Sequence, residues 1–334
     1  MSLISIIVPV YNNASSLPDL LAKFQALASQ NIEDQFEYVF VDDGSLDNSF
    51  AIMLGLAQQE PRMRIVKLSR NFGSNAALLS GLSQARGDVV ATIAADLQDP
   101  PELIHDMLNY WRQGSKVVLA AREERDDGFA TNLMSDAFYS LFRRFAIQSM
   151  PKRGFDFFLI DRQVCNIING IQENNTYLMG LILWLGFKAQ VVYYRRRKRE
   201  ERYGRSMWTF TKKLKYFIDS FVSFSYMPVR ASSIIGICLS VLGLLYAILV
   251  IALRLLFAIP AEGWASLMVV LLIVSGAQML MIGTLGEYLW RNLDETRRRP
   301  RFIIERVVEN REKPTPPLAS SEPLNAEKTV GTVE

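Results

Sequence analysis

The chain has 334 residues, 50% of them hydrophobic and 21% charged, with a formal net charge of +3. That length can bury one sizeable core and still supply membrane spans. Two cysteines, Cys165 and Cys238, and one histidine, His105, exclude a disulfide framework and a thiolate metal site, so any chemistry runs on carboxylates, basic groups and a metal held by oxygen.

The N-terminus opens directly on a strand-like run, Leu3 to Val10, without a signal-peptide pattern. Apolar, β-branched runs at Ile4 to Val8, Tyr38 to Val41, Ile65 to Leu68, Val89 to Ile93 and Val117 to Ala120 predict buried strands. Helical patterns near Leu17 to Ala28, Phe50 to Gln59, Ala76 to Ala85 and Leu103 to Trp111 alternate with them. The expectation is an α/β domain with a mostly parallel, doubly wound sheet, in which ligands bind beyond the carboxyl ends of the strands.

Past Arg122 the alternation loosens into a helix near Thr131 to Phe145 and strands near Phe157 to Ile160 and Ala189 to Tyr194. Between Lys188 and Lys215, eleven basic residues stand against only Glu200 and Glu201. Such a run is a solvated face, a flexible tail, or a membrane- or phosphate-facing segment, and near anionic headgroups each basic residue gains about 1 kcal/mol. Phe210, Leu214, Phe217, Ile218, Phe221 and Phe224 recur at helical spacing with Lys212, Lys213 and Lys215 opposite, the pattern of a helix lying in the headgroup plane or of a core-packed surface helix.

Ser232 to Leu253 and Trp264 to Gly286 contain no charge. At ~1.5 Å per residue each gives about 33 Å of helix, enough for a hydrocarbon core of about 30 Å. Arg230, Arg291 and Arg297 to Arg299 flank this hairpin on the domain side, whereas the loop offers only Arg254 and Glu262, which predicts cytoplasmic termini in the inner membrane. The expected organisation is a cytoplasmic domain over 1–206, an interface helix over 207–230 and a transmembrane hairpin over 231–290, with spans near 232–256 and 264–287. A cytoplasmic segment over 291–313 and a disordered tail over 314–334 follow. Gly236 and Ser240 sit one turn apart and suit close span packing, so a homo-oligomer is expected; no nucleic-acid partner is.

Several strand ends carry polar motifs. Val8-Pro9-Val10-Tyr11-Asn12-Asn13 closes the first strand and Val41-Asp42-Asp43-Gly44-Ser45 the second. Asp43-Gly44-Ser45 suits a plain turn and helix cap, while two carboxylates ending a buried strand favour a nucleotide base or ribose hydroxyl as partner. Ser69-Arg70-Asn71-Phe72-Gly73 follows the third strand and Ala95-Asp96-Leu97-Gln98-Asp99-Pro100-Pro101-Glu102 the fourth. Asp99 with Pro100 and Glu102 reads as a helix start. Asp96 and Gln98 offer oxygen to a divalent cation shared with substrate phosphates.

Together with Gly154-Phe155-Asp156-Phe157 and Arg202-Tyr203-Gly204-Arg205-Ser206, this ordered set resembles glycosyltransferase family 2 with a GT-A (Rossmann-like) fold. It is most similar to the polyprenyl-phosphate glycosyltransferases, which include dolichol-phosphate mannose synthase and the bactoprenol glucosyltransferases of the GtrB type. The two-span tail with Gly286-Glu287-Tyr288-Leu289-Trp290-Arg291 is similar to the latter branch. The resemblance implies that Pro9, Tyr11, Asn13, Asp42, Asp43, Asn71 and Gly73 hold the nucleotide, and that Asp96 and Gln98 bind Mg²⁺ or Mn²⁺. It places Asp156 on the acceptor side, and Arg202 with Ser206 in a loop closing on phosphate; Asp156, Asp96 and Arg202 are the catalytic set. The acceptor phosphate is expected at Arg122, Arg125, Ser135, Arg202 and Ser206. Three positions depart from the pattern: Ala94 replaces the first Asp of a D-x-D pair, Asn13 a common Glu, and Met207 a common Lys.

The reaction implied is an inverting transfer of a sugar from a nucleotide diphosphate to undecaprenyl phosphate, with UDP-glucose as the expected donor. N-acetylglucosamine, 4-amino-arabinose and GDP-mannose stay open. An acceptor phosphate with a second pKa of about 6 needs no strong base, so positioning and charge neutralisation carry the chemistry. Asp156 would orient the acceptor, assist the metal or act as a weak base, or else pair with Arg162; for Arg122 and Arg125 surface salt bridging is the simpler alternative. A processive synthase would need Q-x-x-R-W and more spans, and a dinucleotide enzyme a G-x-G-x-x-G, neither of which is present. A non-catalytic, membrane-tethered nucleotide-sugar binding protein is the alternative from another class.

Overall fold

The structure, a computed structural model, describes residues 1–123, 139–173, 177–196, 224–225, 227–257 and 263–309. Strands β1 (Leu3–Val10), β2 (Gln35–Asp42), β3 (Met63–Leu68), β4 (Val89–Thr92) and β5 (Val117–Arg122) fall on the predicted runs. Helices α1 (Leu17–Gln30), α2 (Ser49–Gln59), α3 (Ser74–Gln84) and α4 (Leu103–Arg112) alternate with them. Then come β6 (Phe155–Asp161), α5 (Arg162–Gly170), α6 (Leu178–Trp184), β7 (Ala189–Tyr194), two long helices, α7 (Met227–Phe257) and α8 (Trp264–Thr296), and a last strand, β8 (Ile304–Glu309).

The eight strands make one sheet in the order β7-β5-β6-β4-β1-β2-β3-β8. β1 pairs in parallel with β2 and β4, β2 with β3, and β5 with β7, whereas β6 and β8 are antiparallel to their neighbours. Alternation along the strands divides the core. Ile4, Ile6, Val8, Tyr38 and Phe40 face one cluster with Phe24 and Met107; Ile7, Val39 and Val41 face the other with Leu79 and Ile168. Helix α3 lies so close to β1 that a Cβ on Gly81 would collide with the Ile7 side chain.

The chain winds outward from β1 to β3 and then crosses back to β4. A crevice therefore opens between the carboxyl ends of β1 and β4, where such sheets bind ligands. Register sets its rim: Val10 lies opposite Asp42, so the residues past β1 and β2 emerge side by side, while β4 ends at Thr92 opposite Ile7, three residues before the end of β1. β6 enters the sheet at this same end, which brings Asp156 beside the end of β5.

Val229–Leu253 and Ser266–Thr296 are long and apolar enough to cross a membrane, with mean hydropathy of 2.8 and 2.1. Their outward side chains, such as Ile237 and Leu242, are exposed on the protein surface. The two helices pack through small groups. A Cβ on Gly236 would lie 2.7 Å from Met281 Cε, and Ser232 Oγ donates to Thr284 Oγ1 at 3.4 Å. The close packing expected of Gly236 is thus made within one chain.

Most of the expected amphipathic helix lies outside the described residues. Its last aromatic, Phe224, packs edge-on against Phe142 at 6.5 Å and joins the domain core. Past the hairpin the chain returns to the sheet. Glu305 and Glu309 of β8 pair with Lys67 and Arg64 of β3, and Ser69 N donates to Ile303 O at 3.0 Å.

Candidate active site

The site is built on the crevice rim in two connected groups. The first joins the ends of β1, β2 and β3. Asp43 N donates to Val10 O at 2.9 Å, and the Asp43 carboxylate accepts from the amides of Phe72 (2.7 Å) and Gly73 (2.9 Å). Asp43 therefore pins the loop that contains Asn71 and Gly73. Burial raises its pKa from the ordinary value to about 6, against the lowering pull of those two amides. Gly44 has φ +68°, and a Cβ there would lie 2.6 Å from the Arg70 and Asn71 backbone, so the two loops touch because this residue is glycine.

Asp42 is buried. Its Oδ1 accepts from Ser45 N at 3.1 Å, while Oδ2 has no partner among the described residues. A buried, unpaired carboxylate oxygen beside a crevice calls for a donor from a ligand. Asn12 adopts a left-handed φ of +54°, supported by Leu46 N donating to its Oδ1 at 2.8 Å and by its own N–H on Ser45 Oγ at 3.1 Å. That kink turns Tyr11 and Asn13 out of the strand line; both are partly exposed, as is Pro9 one strand pair below. Asn13 N donates to Ser49 Oγ at 2.9 Å, tying this turn to α2.

The second group surrounds the ends of β4, β5 and β7. Ser16 Oγ connects the two groups by bonding both Asn13 O (3.0 Å) and Ala95 O (2.6 Å). Beyond Ala95, Asp96 Oδ1 accepts from Gln98 N at 3.3 Å, and Leu97 takes a strained φ of +59°. Asp99 departs from its expected role. Helix α4 begins only at Leu103 and has no side-chain cap; Asp99 instead turns inward and is fully buried. Its Oδ1 accepts from the Tyr194 hydroxyl at 2.5 Å and from Arg196 Nε at 3.0 Å. Burial raises the Asp99 pKa, while Arg196 and Tyr194 oppose the rise.

Arg122, at the end of β5, forms an ion pair with Asp156 at the start of β6. This replaces the Arg162 partner considered from sequence; Arg162 instead donates to Gly87 O from Nε at 2.6 Å. The pair is asymmetric, with the Arg122 side chain 13% exposed and that of Asp156 55% exposed. Burial works against the Arg122 cation, but Asp156, Tyr194 and Asp99 hold its pKa above the ordinary value. His105 Nδ1 lies 2.8 Å from Asn31 Oδ1, a structural contact away from this rim.

The rim thus brings together Tyr11, Asn13, Asp42, Asp43, Asn71 and Gly73 on one side, and Asp96, Gln98, Arg122 and Asp156 on the other. Arg125, Ser135, Arg202 and Ser206 lie outside the described residues. Tyr194, Arg196 and the inward role of Asp99 are additions that the sequence reading missed. Among the described residues no three His, Cys, Asp or Glu side chains form a metal cluster. Asp96 and Gln98, two residues apart, would offer only oxygen to a cation, which suits a hard ion completed by substrate phosphates and not a cation held by protein alone.

Residues 5–171 match the family described as Glycosyl transferase family 2. An uncharacterized glycosyltransferase of Bacillus subtilis is 36% identical over 311 residues, covering 92% of this chain and 95% of its own. A protein of Escherichia coli described as a prophage bactoprenol glucosyl transferase homolog is 33% identical, with coverage of 91% and 99%. The bactoprenol glucosyl transferase of Shigella phage SfV is 34% identical, with coverage of 90% and 98%.

Proposed function

The chain belongs to glycosyl transferase family 2, and on that premise we propose that it transfers glucose from UDP-glucose to undecaprenyl phosphate at the cytoplasmic face of the membrane, inverting the anomeric carbon. The observation that carries this reading is the row of buried carboxylates, Asp42, Asp43, Asp96 and Asp99, on the crevice rim of a domain that continues into two apolar helices. Relatives whose descriptions name bactoprenol glucosyl transfer match along nine-tenths of the chain, hairpin included, which supports both the lipid acceptor and the membrane setting.

In this reading Asp42 Oδ2 accepts from the base or ribose, and Asp43 holds the Asn71–Gly73 loop against the nucleotide. Asp96 and Gln98 would hold a divalent cation, which when bound would supply Lewis-acid neutralisation of the leaving group. Arg122 neutralises the acceptor phosphate, joined by Arg125, Ser135, Arg202 and Ser206. Asp156 holds the Arg122 guanidinium and orients the acceptor. An acceptor phosphate ionised near neutral pH attacks without a strong base, so aligning two anions is the main task, and cations on the rim perform it.

The test is transfer by the full-length protein in detergent or proteoliposomes. Label from UDP-[¹⁴C]glucose should move to the butanol phase with undecaprenyl phosphate, exceed that from UDP-N-acetylglucosamine and GDP-mannose, and give a β-linked product by NMR. No transfer from any of the three donors would overturn the reading.

A further inference from the structure

Arg196 is tied firmly at one end and loosely at the other. Its Nε bonds Asp99 Oδ1 at 3.0 Å, and that carboxylate is 1% exposed and also held by Tyr194. Its Nη2 lies 3.8 Å from Asp96 Oδ2, inside ion-pair range but beyond a hydrogen bond. One guanidinium, 24% exposed, therefore serves two carboxylates, and the Asp96 side chain is itself only 11% exposed. A carboxylate so far removed from water is costly without a cation beside it. The fixed Nε contact means that the Nη end can leave Asp96 while the side chain keeps its anchor.

We propose that Arg196 is a built-in counter-ion at the cation position, a positioning residue that occupies Asp96 until a metal–nucleotide complex arrives. The inference rests on the reading that Asp96 is the cation carboxylate. A divalent ion on Asp96 turns Arg196 into a like-charged neighbour, so a cation alone binds against repulsion. When a nucleoside diphosphate arrives with the ion, its oxygens accept the displaced Nη group, and the repulsion becomes an attraction. Metal and nucleotide then favour one another's binding, and by linkage each strengthens the other by the same factor.

Mn²⁺ binding to the full-length protein in detergent, read by the EPR signal of free Mn²⁺ with and without UDP, tests this without turnover. Wild type should bind Mn²⁺ weakly alone and at least tenfold more tightly with UDP. Arg196→Gln should bind Mn²⁺ alone at least fivefold more tightly than wild type, and UDP should add correspondingly less. Arg196→Lys, which keeps the charge, should return to weak binding; Arg196→Met keeps the aliphatic stem and decides the matter if the glutamine variant does not fold. Unchanged or weaker Mn²⁺ binding by the neutral variants, folded as judged by a cooperative unfolding transition, would overturn the inference. Failure of wild type to bind Mn²⁺ even with UDP would overturn the metal reading beneath it, a different result in a different sample.

Discussion

The Tyr194 hydroxyl donates a 2.5 Å hydrogen bond to Asp99 across 95 residues of chain, joining the end of β7 to the loop after β4. Both groups are buried, and Arg196 shares the same carboxylate oxygen. Tyr194→Phe keeps the ring and removes only this donor, leaving a buried carboxylate less well satisfied. Losing a hydrogen bond to a buried charged group costs about 1–3 kcal/mol, to be read from the denaturant midpoint of the purified protein. Turnover should fall as well, because the oxygen that fixes Arg196 loses its second support. A variant with wild-type stability and rate would show that the bond holds nothing in place.

The nucleotide-loop role proposed for Asp43 carries a pH dependence of known sign. Its folded pKa is about 6, raised chiefly by burial, against about 3.9 for an exposed carboxylate. Below about pH 6 the carboxyl takes up a proton and accepts less well from the Phe72 and Gly73 amides, so the Asn71–Gly73 loop loosens. UDP affinity measured by calorimetry should fall between pH 7 and 5, and Asp43→Asn should bind weakly throughout. Stability moves the other way. Between about pH 4 and 6 the folded state holds more protons than the unfolded chain, so this group makes the fold more stable as pH drops. A melting temperature that rises where binding is lost separates the two effects.

Much of the sheet is legible in sequence because its strands are continuous apolar runs. Ile4, Ile6 and Val8 against Ile7 already divide the two faces, and Asp42, Asp43 and Asp96 stand out because they follow buried strands. Asp99 misleads because Asp-Pro-Pro-Glu is locally a good helix start, while its real partners lie about a hundred residues on. Arg196 is hidden inside the basic run 195–199, where no single residue differs from its neighbours. β8 is hidden for another reason. Ile304–Glu309 is an edge strand with three charged residues, and its pairing with β3 crosses the whole hairpin.

That edge has unequal ion pairs, which gives a third prediction. The Arg64 side chain is 7% exposed, with Nε 2.5 Å from Glu309 Oε1 in a contact whose angle is not that of a hydrogen bond, and Nη2 3.6 Å from Glu37. Glu309→Gln should destabilise the domain by about 1–3 kcal/mol. That is less than the about 3–5 kcal/mol of a fully orphaned buried charge, because Glu37 remains. Lys67 and Glu305 are far more exposed, so Glu305→Gln should cost under about 1 kcal/mol. Equal effects in chemical denaturation would mean that β8 is not held by the buried pair.

The exposure difference across the Arg122–Asp156 pair separates the parts played by its two members. Arg122→Gln leaves Asp156 in water, where an unpaired carboxylate is tolerated, but also takes a cation from the buried Asp99, so stability should fall by about 1–3 kcal/mol while turnover falls by about 10²–10³, the loss typical of a removed charge-stabilising donor. Asp156→Asn leaves Arg122 beside Tyr194 and Asp99, so the fold should survive, but the guanidinium loses the partner that aims it. A base role for Asp156 and an orienting role predict different pH profiles. If Asp156 removed a proton, the asparagine variant would lose the acidic limb of kcat against pH. Because the acceptor phosphate is already ionised near neutral pH, the limb should instead persist at a lower plateau, with kcat reduced by about 10–100-fold. Persistence of the limb excludes Asp156 as its source and leaves the acceptor phosphate and Asp43, both with a pKa of about 6, as the groups that titrate there.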